Sequence, residues 1–244
     1  MEGYRPETYG DRIADVYDQW YGDRPGLDDC VELLAALAGP GPVLELGIGT
    51  GRVALPLAAR GQRVHGVDAS EAMVARLRAK PGGEAVQVTV GDLGEVPAEG
   101  PFSLVFVVFN TFFCLLTQDD QVRCFARVAE RLAPGGAFVV EAFVPDPRRL
   151  AQLQELTVDQ VGADRVVLSA TRRDPVGQRI DSQHLVLGAD GIRMQPVAIR
   201  YAWPAELDLM ARLAGLRLRD RWAGWRREPF SADSSAHVSV YERA

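Results

Sequence analysis

The chain is poor in the residues that metal, redox and disulfide chemistry require. Its 244 residues hold 3 cysteines and 3 histidines. Cys30, Cys114 and Cys124 fall at no metal-ligating spacing, and their odd number fits no disulfide framework, so no metal site is expected. A reducing, cytoplasmic location follows as the expectation. No apolar stretch approaches the roughly 20 residues that a spanning helix needs. The longest, Phe102 to Leu116, is interrupted by Ser103, Asn110 and Thr111, so no membrane association is expected. The opening residues, MEGYRPETYGD, lack the basic-then-apolar pattern of a secretory signal. An excess of basic charge is also missing. The net charge is −6, with 27 Lys and Arg against 33 Asp and Glu, which disfavours a nucleic-acid partner. There is no repeat, low-complexity tract or long linker. The remainder, 47% hydrophobic and 25% charged, is the composition of a globular protein long enough for one large core.

What the chain does have is a glycine corner. Residues 43–51 read VLELGIGTG. Val43, Leu44 and Leu46 flank Glu45 in a short apolar run, and Gly47, Gly49 and Gly51 open an apolar-periodic segment. This pattern predicts a buried strand, a tight turn and a helix start. Glycine is needed where backbone must approach a ligand or adopt positive φ. A dinucleotide-binding turn would place a third glycine where Arg52 stands. QRVHGVD (62–68) predicts a second strand ending in an acid, and Asp68 lies 17 residues after Gly51, near the place of a ribose-binding carboxylate. Ser70 is a candidate N-cap for the helix that follows. Further strands are predicted at 85–92, ending on Asp92-Leu93, and at 102–110, ending on Asn110-Thr111.

This series of motifs resembles motif I and its successors in the class I S-adenosylmethionine (SAM)-dependent methyltransferases, closely over residues 8–145. The segment 132–143, LAPGGAFVVEAF, resembles their junction of helix and fifth strand. The resemblance implies a Rossmann-like, seven-stranded, doubly wound α/β sheet. It implies SAM as cofactor, with S-adenosylhomocysteine (SAH) as product. Gly47, Gly49 and Gly51 would admit the methionine part and ribose. Glu45 would act near the tail ammonium. Asp68 would accept from both ribose hydroxyls. Asp92 would accept from the adenine amino group, Leu93 would donate its N–H to the ring, and Ala69 and Met73 would pack on adenine. Asn110 sits where the family lines the methyl-transfer site.

Residues 9–24, YGDRIADVYDQWYGDR, resemble the lid segment of glycine and aminosugar N-methyltransferases. On that likeness Tyr9, Tyr17 and Arg24 are candidate cofactor contacts, with Arg24 on the SAM carboxylate. Helical burial of the aromatics is the alternative. Their spacing predicts a helix over 8–21 with one apolar face, and a second over 27–38 stopped by Gly39-Pro40.

After Pro145 the pattern changes. A short helix is expected at 148–155. Runs at 164–173, 178–187 and 192–201, separated by two turn signals, predict an antiparallel meander inserted after the fifth strand. A last helix (204–214) and two closing strands (216–224, 236–243) complete the sheet. The expected organisation is a single domain, 1–244: a lid segment 1–40, a SAM-binding core 41–145, a β lobe 146–203 and a closing segment 204–244. The lobe would cover the ligand edge or serve as a dimerisation sheet, so monomer and homodimer both stay open.

In-line methyl transfer depends mainly on proximity, and a base is needed only for a protonated acceptor. His184 and His237 are the candidate catalytic residues, with Glu141 and Asp146 as alternatives. His65, flanked by apolar strand residues, is expected to be structural, and Cys114 a small buried group. The expected function is methylation of an amine or hydroxyl of a small molecule, in secondary metabolism by resemblance. Alternatives are a SAM-binding fold used for other chemistry such as cyclisation, a non-catalytic binding module, a nicotinamide oxidoreductase and a macromolecule methyltransferase.

Overall fold

The computed structural model describes residues 1–22 and 25–244. Two short helices begin it, α1 (Thr8–Ile13) and α2 (Tyr17–Tyr21), then α3 (Leu27–Ala38). The expected single helix over 8–21 is broken. The chain turns over residues 14–16, with Val16 at φ −117°, and Ile13 and Ala14 are buried on Met73 while Tyr17 and Tyr21 of the second helix pack against the same small cluster. Gly39, at φ +58°, ends α3 as its sequence predicts.

Strands and helices then alternate: β1 (Val43–Leu46), α4 (Ala54–Ala59), β2 (Val64–Asp68), α5 (Glu71–Arg78), β3 (Gln87–Val90), β4 (Phe102–Val107), α6 (Gln118–Arg131) and β5 (Leu132–Phe143). After β5 come α7 (Pro147–Leu150), β6 (Gln154–Val161), β7 (Arg165–Asp174), β8 (Arg179–Gly188) and β9 (Gly191–Arg200). The chain closes with α8 (Pro204–Leu213), β10 (Leu216–Trp222) and β11 (Ala236–Arg243).

The main sheet has seven strands in the order β10-β11-β5-β4-β1-β2-β3. β11 runs antiparallel to β5, and β4, β1, β2 and β3 pair in parallel. Alternation along the strands splits the core. Leu44, Leu46, Val105, Val107, Phe138 and Val140 pack with α6 and α8 on one face. Val43, Leu104, Phe106 and Val139 pack with α3 and α4 on the other. Near-continuous apolar strands are what a sheet covered on both faces requires. The seven-stranded doubly wound sheet and the inserted meander are both as the sequence predicts.

The meander differs in one detail. It has four strands, in the order β6-β7-β8-β9. The helix expected at 148–155 is confined to Pro147–Leu150, where Asp146 caps it through Arg148 N–H at 2.9 Å. Gln154 onward is extended because it pairs antiparallel with β7. The meander is fastened to the core by Arg200. Its guanidinium donates to Gln121 of α6 at 2.5 Å, to Gln178 at 3.0 Å and to Glu206 of α8 at 2.7 Å.

Candidate functional site

The carboxyl ends of β1, β2 and β4 open into a cavity of about 490 Å³ that reaches the meander. The glycine corner forms its floor. Gly47, Gly49 and Gly51 adopt φ of +74°, +56° and +81°. A Cβ on Gly47 would collide with the Thr111 side chain, whereas one on Gly49 would meet nothing within 4 Å. The corner is thus packed on one side and open on the other. Gly47 and Gly49 line the cavity; Gly51 packs behind it on Leu55 and Leu77.

Asp68 ends β2 at the cavity wall. Its Oδ2 accepts from Gly49 N–H at 2.7 Å and its Oδ1 from Ser70 N–H at 2.9 Å. Burial raises its carboxyl pKa, opposed by those two backbone donors. One carboxylate therefore holds the turn and the start of α5 in register. Ser70 is the N-cap expected, accepting from Met73 N–H at 3.2 Å. Ala69 and Met73 also line the cavity.

Asp92 and Leu93 form the adjacent wall. Asp92 Oδ1 accepts from Gly94 N–H at 2.7 Å, which fixes the side chain. Phe109 and Asn110, at φ +62° and +63°, make the turn after β4. Two consecutive non-glycine residues in the left-handed region are a costly arrangement that clusters at functional sites. Asn110 Oδ1 accepts from Phe143 N–H at 2.7 Å, so the residue ties the ends of β4 and β5 together while lining the cavity.

Glu45 lies in β1, 3% exposed, and does not line this cavity. Burial lifts its carboxyl pKa far above the usual range, with Arg52 opposing. Its Oε2 has no hydrogen-bond partner among the described residues. Arg52, the residue at the would-be third glycine, shares a second cavity of about 300 Å³ with Cys30 and Glu141.

The amino-terminal helices cover the main cavity. Tyr9, Tyr17 and Tyr21 all face it. Burial raises the phenol pKa values of Tyr9 and Tyr17, so both remain protonated. The cover is latched at two points: Asp11 accepts from Ser70 Oγ at 2.6 Å, and Asp18 accepts from Thr50 Oγ1 at 2.6 Å and from Lys80 at 2.8 Å. Gly10 sits directly on Ser70, where any side chain would overlap the serine. Arg24, expected to contact a carboxylate, lies outside the described residues.

The histidines separate. His184 of β8 lines the cavity. His237 of β11 does not: it is 0% exposed in the sheet interior, bonded to Ser239 Oγ at 2.9 Å and edge-on to Phe230. Burial pushes its pKa down to about 4. Its ring is enclosed by packed neighbours away from the cavity. His65 bonds Thr89 at 3.0 Å, with its pKa lowered by burial. Asp146 caps α7, and Phe109 N–H donates to Glu141 at 2.5 Å. Cys114 lines the cavity with its thiol pushed up to about 12 by burial, which leaves almost no thiolate.

Several lining residues escaped sequence reasoning: Tyr4 and Arg5 before α1, Phe143 at the end of β5, and Val197 and Ile199 of β9. The last two were detectable, since their i, i+2 spacing in a strand puts them on one face. Tyr4 and Arg5 precede any periodic segment and gave no signal. Among the described residues no group of three or more His, Cys, Asp or Glu is placed to hold a metal. No described helix is long and apolar enough to cross a membrane.

Comparison with known proteins supplies the rest. Residues 43–136 match a family model described as a methyltransferase domain. The chain is 33% identical over 98% of its length to a cypemycin N-terminal methyltransferase from Streptomyces sp., 98% of which is covered. Among solved structures it is similar to the CcbJ methyltransferase from Streptomyces caelestis, with 46% identity, a TM-score of 0.93, and coverage of 99% of this chain and 100% of that one. It is also similar to a SAM-bound amino pentose methyltransferase from Micromonospora echinaspora, CalS10, at 25% identity and a TM-score of 0.69, covering 93% of this chain and 96% of that one.

Proposed function

The chain belongs to the SAM-dependent methyltransferase family, and from that premise we propose that it methylates an amino nitrogen of a small molecule. SAM is the methyl donor. The residues fit such a cofactor on three counts. Gly49 leaves open the space that any side chain would fill. Asp68 and Asp92 present acceptors on adjacent walls, matching the hydroxyl and amino donors of an adenosine. Beneath the turn, Glu45 keeps a buried oxygen without a partner among the described residues.

In this reading Asp68 binds the ribose hydroxyls and Asp92 the adenine amino group. Leu93 donates its N–H to the ring, while Ala69 and Met73 pack on it. Gly47, Gly49 and Gly51 let backbone approach the methionine part, and Glu45 acts through hydrogen bonding near the tail ammonium. Tyr9 and Tyr17 close the cavity from above, and Asn110 shapes the space between donor and acceptor. SAM supplies a methyl carbon already activated by a sulfonium. The chain's own work is to hold an acceptor in line with that carbon, exclude water and accommodate the proton that leaves.

The observation that carries the proposal is the single cavity running from the glycine corner to Val197 and Ile199 of the meander. In this reading the cofactor takes the end at the glycine corner and the acceptor the end at the meander. The choice of nitrogen over oxygen is supported by the relatives, which are named for an amino terminus and for an amino pentose. The test is a panel of short peptides with free amino termini, aminosugars and their hydroxyl analogues. Each is incubated with SAM and read by mass spectrometry for a gain of CH2. Methylation of amines but not of hydroxyl analogues is expected; transfer only to hydroxyls would overturn the nitrogen assignment.

A further inference from the structure

His184 does not stand alone. Ser169 lies directly opposite it in β7, and Ser169 Oγ is 2.6 Å from His184 Nδ1. The same hydroxyl contacts Asp159 Oδ2 in β6, itself 3.8 Å from His184 Nδ1. Asp159 falls where the β6–β7 register shifts between Val158 and Gln160, so it has no cross-strand partner of its own. A bulge of this kind re-aims a side chain and is common beside active sites. Thr157 Oγ1 also donates to Asp159, at 2.9 Å.

The direction of each hydrogen bond follows from counting protons. Asp159 is ionised, its pKa lowered chiefly by the Ser169 hydrogen bond. An ionised carboxylate only accepts, so Ser169 must give it the single hydroxyl hydrogen. Toward His184 the same oxygen can then only accept. His184 must therefore carry its hydrogen on Nδ1, which leaves Nε2 with a lone pair. No described residue bonds Nε2, and the ring lines the cavity. The second partner of an imidazole fixes the tautomer of the first.

Resting on the methyltransferase reading, we propose that His184 Nε2 is the base that deprotonates the acceptor ammonium, and that Ser169 and Asp159 are positioning residues that hold it in the Nδ1–H tautomer. The proton of the ammonium passes to Nε2 and gives an imidazolium. The nitrogen keeps the electron pair of that N–H bond and becomes a neutral nucleophile. Asp159, two hydrogen bonds away, offsets the positive charge that forms on the ring. His184 and Asp159 side chains are 37% and 38% exposed, so the proton then leaves to water and the ring is reset. An amine that arrives protonated at neutral pH is the acceptor class that needs such a device.

The test begins with the protein bound to SAH, without acceptor. Two-bond 1H–15N spectra of histidine-labelled protein report each ring's tautomer, and with 3 histidines single substitutions assign the signals. Neutral His184 is expected as Nδ1–H in the native protein. Asp159→Asn should reverse it to Nε2–H, because an amide can donate to Ser169 and turn its hydroxyl toward Nδ1. Ser169→Ala should mix the two forms, and Ser169→Thr should retain Nδ1–H. With any amine methylated in the panel above, His184→Ala and Asp159→Asn should lower turnover at least tenfold, with SAH affinity within twofold of native. Ser169→Thr should restore most of the activity. Neutral His184 as Nε2–H in the native protein, or full turnover by His184→Ala, would overturn the proposal. The spectra need no acceptor, so they decide the relay by themselves; failure of native protein to bind SAH would instead sink the reading beneath it.

Discussion

The two sheets of this molecule are built on opposite plans. In the seven-stranded sheet Leu44, Val105, Phe106 and Val139 are fully buried, with helices on both faces. The four-stranded meander has few buried residues, among them Ser169, Gln195 and Ala198, and it exposes Leu156, Val158, Ile192 and Met194. The first plan holds its backbone in a close-packed, low-compressibility interior. The second holds side chains on a half-solvated surface. On the proposed reading the cofactor end of the cavity stands on the first plan and the acceptor end on the second, which would assign the invariant ligand to the rigid sheet and the variable one to the sheet whose residues can change at small cost.

Breaking the joint between the plans should have the largest effect. Arg200 is 6% exposed at the side chain and pairs with Glu206. Its removal in Arg200→Ala leaves a mostly buried carboxylate uncompensated, and a loss of about 3–5 kcal/mol in denaturant-unfolding stability is expected. Arg200→Met with Glu206→Gln should recover part of that loss. Next comes Asp68→Ala, which removes charged acceptors from both the turn and the ligand. At about 1.5–3 kcal/mol for each of two charged hydrogen bonds, SAH affinity in calorimetry should fall at least roughly 100-fold. The raised carboxyl pKa also means that native affinity weakens on acidification before an ordinary aspartate would protonate.

Of similar size is the response of the main sheet to acid. His237 titrates near 4 when folded against 6.5 ordinarily. A lowered histidine pKa gives stability that is complete above 6.5 and is lost as pH falls toward 4, at most about 3 kcal/mol. His237→Gln should flatten that slope in denaturation measured from pH 7 to 4. Smaller still is Gly49→Ala. Its cost to the fold should be roughly 1–2 kcal/mol, from the positive φ alone. SAH affinity should nevertheless fall more than tenfold, because the methyl enters open space kept for a ligand. Gly47→Ala should instead damage the fold through Thr111. Smallest is Ile199→Ala on the meander: acceptor KM should rise roughly tenfold while SAH affinity stays unchanged. A matching loss of SAH affinity would erase the distinction between the two ends of the cavity.

The same contrast explains what could be read from the sequence. Gly47, Gly49, Asp68 and Ser70 were legible because each residue type is demanded by local backbone geometry, which a linear motif records. The break at Val16 was not, because periodicity of Tyr9, Ile13, Val16, Tyr17 and Trp20 describes a straight helix equally well. β6 was obscured in part by the helix read over 148–155, and its edge position leaves Leu156 and Val158 without the burial that alternation normally marks. The grouping of Ser169 and Asp159 with His184 was invisible, since it needs both the β7–β8 pairing that sets Ser169 opposite His184 and the β6–β7 register shift at Asp159. His237 was placed correctly in the last strand, but its distance from the cavity was not legible, because strand order is not written in the chain.

That order has a consequence in time. β11 is an inner strand, hydrogen-bonded to β5 on one side and β10 on the other. Until residues 236–243 emerge from the ribosome, β5 presents a bare edge, although β1 through β4 already have all their partners. The glycine corner can therefore assemble during translation while the sheet behind it waits for its keystone, and a nascent chain stalled short of residue 236 would carry an open invitation to mispairing.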